Sequence, residues 1–254
     1  IISPKSLTPN TKYYWRVKLW IKGKGETGWS QENSFHTAIE QKEWAKSKWI
    51  GYDFLPETDR IFPGIHGLLK DARNRPLRAR TVVPEFRKKF NLQGKVIQSA
   101  QLYIAGLGHY EAFINGKRIG DSFLSPGWTN YQKTALFNSY DLTKELNQSG
   151  NELSAFVGPG FRYVNDERYR KLVIGDQKPI LKAVLVIQYK NGETERIYTD
   201  ESWETQPSPI TFSSIYGGED YDANLEQNNN WRAAKILSDY HPEMKSEMDF
   251  PLRE

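Results

Sequence analysis

Residue types and spacings capable of chemistry fall in a few places. Gly120-Asp121-Ser122-Phe123 presents a serine hydroxyl between small and acidic neighbours. A serine nucleophile needs a base within hydrogen-bond reach. An Asp-x-x-His block would supply one, but the residues three before the four His are Asn33, Pro63, Gly106 and Ser238. Ser122 therefore stands as an esterase alternative without a visible base. Gly217-Gly218-Glu219-Asp220-Tyr221-Asp222 is an acidic cluster. Paired carboxylates do glycosidase chemistry, and carboxylates with backbone carbonyls bind Ca²⁺, so Glu219 and Asp222 are candidate metal ligands. A turn with hydrogen-bonded carboxylates accounts for the same residues. Ser125-Pro126-Gly127-Trp128-Thr129-Asn130-Tyr131 mixes aromatic, hydroxyl and amide groups. An aromatic face covers the C–H groups of a sugar while amides and hydroxyls bond its hydroxyls. Trp128, Asn130, Tyr131 and Asn115 are the carbohydrate-binding candidates. The alternative for Trp128 is a ring packed under its own loop.

Other chemistries are excluded. His36, His66, His109 and His241 show no i,i+4 pair and no His-Glu-x-x-His, so the zinc patterns are missing. Gly106-Leu107-Gly108 begins like a dinucleotide loop, but the third Gly is absent and a strand follows instead of a helix. The chain has no Cys, which removes disulfides, thiolate metal sites and cysteine nucleophiles. The net charge is only +4, from 35 basic and 31 acidic residues, without a concentrated basic face. Nucleic-acid binding is not indicated. No apolar run is long enough to span a membrane.

The elements that must hold these groups are β-strands. Aromatics make up 13% of the 254 residues, too many for a disordered chain. Tyr13, Trp15, Val17, Leu19 and Ile21 alternate with period two, which buries one face of a strand. Gly23, Gly25 and Gly28 mark a hairpin, and residues 34–38 a second short strand. Leu7-Thr8-Pro9-Asn10-Thr11-Lys12-Tyr13 has the pattern that precedes strand F of a fibronectin type III module, with Tyr13 placed for a corner hydrogen bond. Such a module needs about 100 residues, so residues 1–40 are expected to supply only strands F and G. Residues 41–80, with scattered Pro and Gly, are expected as a linker containing a helical turn at 40–44. From 81 to 224 strands are expected at 81–90, 99–105, 109–114, 134–141, 151–157, 181–189 and 194–198. Asn115-Gly116 and Asn191-Gly192 are hairpin signals. Many short strands without alternating helices make an all-β sandwich or jelly roll. Residues 225–254 are expected as an exit linker. The missing initial Met and the break at Glu254 fit a piece of a longer polypeptide.

Several blocks recur in a fixed order: residues 100–121 around Asn115-Gly116, residues 124–131 with Pro126-Gly127-Trp128-Thr129, then 140–143, 150–153 and 218–223. Together they resemble the N-terminal accessory region of bacterial α-L-rhamnosidases, glycoside hydrolase family 78. The resemblance implies a galactose-binding-like jelly roll at 81–224, preceded by the last strands of a fibronectin type III-like sandwich. It implies a catalytic (α/α)₆ barrel in the same polypeptide, outside this chain, that releases terminal α-L-rhamnose. This portion would then be a scaffold that presents substrate, and no catalytic residue is carried onto it. Some relatives bind rhamnose with Ca²⁺ in such a domain, which makes a rhamnose-containing glycan the implied partner and Ca²⁺ the implied ion. A periplasmic, secreted or cell-surface location is likewise implied. Two positions depart from the family pattern. Asn224 stands where Arg is frequent, and Gly160-Phe161 where Gly-Trp is frequent, so no sugar-stacking role passes to Phe161 by resemblance.

Overall fold

The computed structural model describes residues 6–53, 61–63, 69–70, 73, 76–79, 82–92, 94–164, 178–248 and 252–253. The chain divides into two compact units, residues 1–44 and 45–254.

The first unit is a β-hairpin built in two short steps. β1 (Lys12–Trp15), β2 (Trp20–Ile21), β3 (Gly25–Glu26) and β4 (Asn33–His36) pair antiparallel as β1 with β4 and β2 with β3. Between the steps, side-chain hydroxyls continue the ladder: Val17 N donates to Ser30 Oγ, and Leu19 N to Thr27 Oγ1. The expected single strand over 13–21 is thus interrupted where hydroxyls replace backbone acceptors. The corner bond forms, with Thr8 N donating to the Tyr13 phenol oxygen at 2.7 Å. The short helix α1 (Gln41–Lys46) crosses the boundary between the units.

The second unit is all-β, a jelly-roll sandwich of two sheets. Its strands are β5 (Ile50–Gly51), β6 (Ile61–Pro63), β7 (Leu69–Lys70), β8 (Pro76–Ala79), β9 (Pro84–Phe90), β10 (Ile97–Leu107) and β11 (His109–Ile114). They continue as β12 (Lys117–Arg118), β13 (Thr134–Asp141), β14 (Asn151–Gly158), β15 (Ile180–Tyr189), β16 (Thr194–Tyr198), β17 (Glu204–Pro207) and β18 (Ile210–Ser214). The last are β19 (Gly218–Tyr221), β20 (Arg232–Ala233), β21 (Lys235–Ile236) and β22 (Glu243–Ser246). One sheet has the order β21-β5-β15-β10-β13-β22, with β16 also on β15; the other has β12-β11-β14-β9-β17-β20. β6 to β8 make a separate small sheet, and β18 pairs with β19. Segments flanking 81–224 therefore enter both sheets, through β5 before it and β20 to β22 after it.

The core follows from alternation. Leu102 and Ile104 of β10 and Leu181, Ala183, Leu185 and Ile187 of β15 meet Ala112 and Ile114 of β11 and Leu153, Ala155 and Val157 of β14. Phe86 of β9 and Trp203 close the same cluster. The other face of β10 and β15 is also buried, through Tyr103, Val184 and Val186. Strands covered on both sides need near-continuous apolar sequence, and Leu181 to Ile187 has it. Trp203 satisfies its one donor by bonding Tyr198 C=O at 2.9 Å. Gly108 marks the tightest approach. Its φ is +119°, and a Cβ there would lie 2.2 Å from the Gly158 carbonyl oxygen on the paired strand.

Candidate functional site

The expected site residues separate into different parts of the sandwich. Asn115 occupies the β11–β12 turn with φ 52°, a left-handed conformation that Asn tolerates. Its side chain is spent internally. Nδ2 donates to Glu145 C=O and Asn151 Oδ1, while Oδ1 accepts from Glu152 N. β11 begins at His109, paired with Gly158, and ends at Ile114 beside this turn. Six strand residues span roughly 20 Å, so Asn115 lies at the far end of β11 from the segment that follows β14.

Trp128 lies in the β12–β13 loop with 59% of its surface exposed. Its ring stacks on Phe161 at 4.9 Å and 28°. Phe161 in turn meets Tyr216 edge-on at 6.1 Å and 78°. Three loops contribute to this group: the one before β13, the turn after β14, and the β18–β19 turn. Local hydrogen bonds explain why the Trp128 loop holds its shape. Gly127 N donates to Glu247 Oε1 at 2.6 Å, Thr129 Oγ1 to Thr134 C=O at 2.5 Å, and Gln132 N to Asn130 Oδ1 at 3.1 Å. Tyr131 turns inward and is buried, which pushes its phenol pKa up to about 12 and keeps it neutral. Asn130 is exposed two residues from Trp128. Behind Phe161, buried Arg162 donates from Nε to Lys178 C=O at 2.5 Å and stacks on Tyr240 with its guanidinium 4.3 Å from the ring centre. That anchor fixes the turn that carries Phe161.

The acidic candidates have other occupations. Asp222 accepts from Asn224 N at 3.0 Å and from Asn224 Nδ2 at 2.8 Å, capping the 3₁₀ turn Ala223–Leu225. Glu219 is exposed on β19. Ca²⁺ takes six to eight oxygens, whereas no group of three or more His, Cys, Asp or Glu that could hold a metal occurs among the described residues. At Ser122 the hydroxyl accepts from Ser125 Oγ, 3.3 Å away. His109 is held toward its neutral form by burial, His36 contacts Asn10 Oδ1, and His66 lies outside the described residues.

Sequence reasoning picked out Trp128 but not its two partners. Phe161 had a signal, its place after Gly160, although the Phe-for-Trp exchange argued against using it. Tyr216 had none, because only the β18–β19 pairing carries that turn toward Phe161.

Comparison with known proteins supplies the family. The family described as Alpha-L-rhamnosidase N-terminal domain matches residues 95–251. The Rha78A-like N-terminal immunoglobulin domain matches residues 2–41. An alpha-L-rhamnosidase of Formosa agariphila is 36% identical over 231 residues, covering 87% of this chain and 24% of that protein. The solved alpha-L-rhamnosidase of Dictyoglumus thermophilum has TM-score 0.78 and 32% identity, over 98% of this chain and 27% of its own. The Streptomyces avermitilis alpha-L-rhamnosidase solved with L-rhamnose has TM-score 0.79 over 99% of this chain and 40% of its own, and at 19% identity it speaks to fold alone. The chain spans about a quarter of the length of the curated relative from Formosa agariphila. With most of its sandwich inside the match, the chain belongs to the alpha-L-rhamnosidase N-terminal domain family of glycoside hydrolases.

Proposed function

We propose that this chain is the non-catalytic accessory portion of an α-L-rhamnosidase, a scaffold that presents glycosides to a catalytic domain in the same polypeptide. The observation that carries this is coverage: a family match over the sandwich, in relatives about four times as long. Hydrolysis of terminal α-L-rhamnose then belongs to the rest of the polypeptide. The test is turnover of a nitrophenyl rhamnoside. The 254-residue chain gives none, and the longer polypeptide gives release; turnover tracking with the short chain would overturn the proposal.

A second reading, sugar binding by the sandwich, is favoured by one feature. The Trp128 ring is backed by Phe161 and still mostly exposed, with the Asn130 amide nearby. A rigid ring facing water suits the C–H face of a deoxy sugar such as rhamnose. Calorimetry with rhamnose, with and without Ca²⁺, decides between the two. Binding lost in Trp128→Ala supports the module; absence of heat at millimolar sugar leaves the scaffold. Under either reading a periplasmic, secreted or cell-surface setting suits a glycan substrate.

A further inference from the structure

A second exposed feature lies beside the Trp128 loop and has a different character. After β22, residues 247–248 and 252–253 lie along residues 121–127. Glu247 accepts from Gly127 N and from Asn138 Nδ2. Phe123 N donates to Leu252 C=O at 2.9 Å, and Arg253 Nε to Asp121 Oδ1 at 3.0 Å. The partners step in opposite directions, so the two segments run antiparallel. The apolar side chains along them point out. Leu124 is 55% exposed, Met248 88% and Leu252 61%, and Phe123 is half-exposed with the Arg118 guanidinium 5.1 Å from its ring centre.

Leu124 is the unusual member. Its φ is 56°, a left-handed backbone that a bulky side chain rarely adopts. The usual occupants of such a position are Gly, Asn or Asp. The left-handed turn delivers the next residue, buried Ser125, to its bond with Tyr110 N at 2.9 Å and leaves the Leu124 side chain in water. An apolar side chain so exposed is expected where something else covers it.

We propose that Phe123, Leu124, Met248 and Leu252 form the docking face for the domain that follows in the same polypeptide. This rests on the accessory-portion reading above. Three observations select that occupant. Residues 243–248 and 252–253 already seat against this part of the sandwich, so the patch continues an existing intrachain contact. A following domain in the same polypeptide is tethered to this chain, which raises its effective concentration at the patch. Relatives carry about three-quarters of their length outside the matched region. Charges border the patch, with Arg118 over Phe123 and the Asp121–Arg253 pair at one end.

Hydrogen exchange on the 254-residue chain and on the longer polypeptide tests this. The amides of Leu124 and Met248 should slow at least tenfold only in the longer form. The double substitution Leu124→Glu with Met248→Glu should abolish that protection. It should leave the melting temperature of the 254-residue chain within a degree, because both side chains face water. Leu124→Gly, which relieves the left-handed strain, serves as the second variant and should also lose the protection. Equal exchange in the two forms overturns the proposal. So does protection in the short chain that grows with concentration, which would mark the patch as a contact between copies. Rhamnoside turnover by the longer polypeptide is read separately. Turnover without protection sinks the docking face and keeps the accessory function; protection without turnover does the reverse.

Discussion

The hairpin at residues 12–36 and the central strands β10 and β15 have the same texture, aromatic and branched residues in a period-two pattern, yet opposite fates. In the sandwich, Leu102, Ile104, Leu181 and Leu185 are fully buried. In the hairpin, Trp15, Leu19, Ile21 and Phe35 alternate just as cleanly and remain substantially exposed. The hairpin compensates locally. Tyr13 stacks on Phe35 at 5.6 Å, and on the other face Arg16 and Lys18 lie over Trp29 while Lys18 also lies over Trp20. A two-stranded ribbon is marginal in water without a second layer. Alternation states which face favours burial; only a second sheet provides it. The hairpin matches an immunoglobulin domain over 2–41, about 40% of the roughly 100 residues such a sandwich uses.

Core truncation should show the contrast most strongly. Trp203→Ala removes a fully buried indole and should lower sandwich stability by about 3–5 kcal/mol. Trp20→Ala, in a residue 69% exposed, should change stability by under about 0.5 kcal/mol. Urea titration of both variants checks this. Equal losses would mean that the hairpin is covered after all.

Glycines give the next largest difference. Gly108→Ala should cost about 2–4 kcal/mol, because its Cβ would strike the Gly158 carbonyl in addition to the backbone strain. Gly23→Ala, with φ +79° but nothing within 4 Å, should cost about 1 kcal/mol. Thermal melts of the pair separate steric from conformational cost.

A half-buried lysine sharpens the electrostatic side. Burial beside Trp49, with Lys48 nearby, lowers the Lys182 pKa from 10.5 to about 8. The unfolded chain then binds the proton more tightly between about 8 and 10.5, so stability rises with pH across that window and is lowest below it. Lys182→Met should stabilise the sandwich by about 1 kcal/mol at pH 7 and flatten the rise. Denaturation midpoints from pH 7 to 10.5 provide the check, and an unchanged slope would assign the rise to other groups.

The smallest effect is local. Tyr13→Phe removes the acceptor of the Thr8 amide. Exchange at Thr8 should quicken while amides of β10 keep their rates, as measured by hydrogen exchange. A shift in the sandwich amides would show the two units to be coupled.

Much of the sandwich was legible in sequence. The strands expected at 109–114, 134–141 and 194–198 form over those residues, and 181–189 needs one residue more. Asn-Gly turns and clean alternation are local signals, and local physics realises them. β17 to β22 were missed because they are short and lack alternation; pairing with longer strands, not propensity, makes them strands. The candidate site was legible in one residue of three. Trp128 stood out by type, while Phe161 and Tyr216 reach it only through the turns after β14 and β18. Asn115, expected with Trp128, is placed at the far end of β11 because strand length sets that distance.

The sequence by itself determined the all-β class, the long sandwich strands, the Tyr13 corner and the exclusion of cysteine chemistry. Each depends on residue type or on spacing within one element. The tertiary structure alone decided which aromatics share a surface, that Asp222 caps a 3₁₀ turn, and that Leu124 faces water from a left-handed backbone. Those depend on which strands pair and in what register, and residues far apart in sequence settle that jointly.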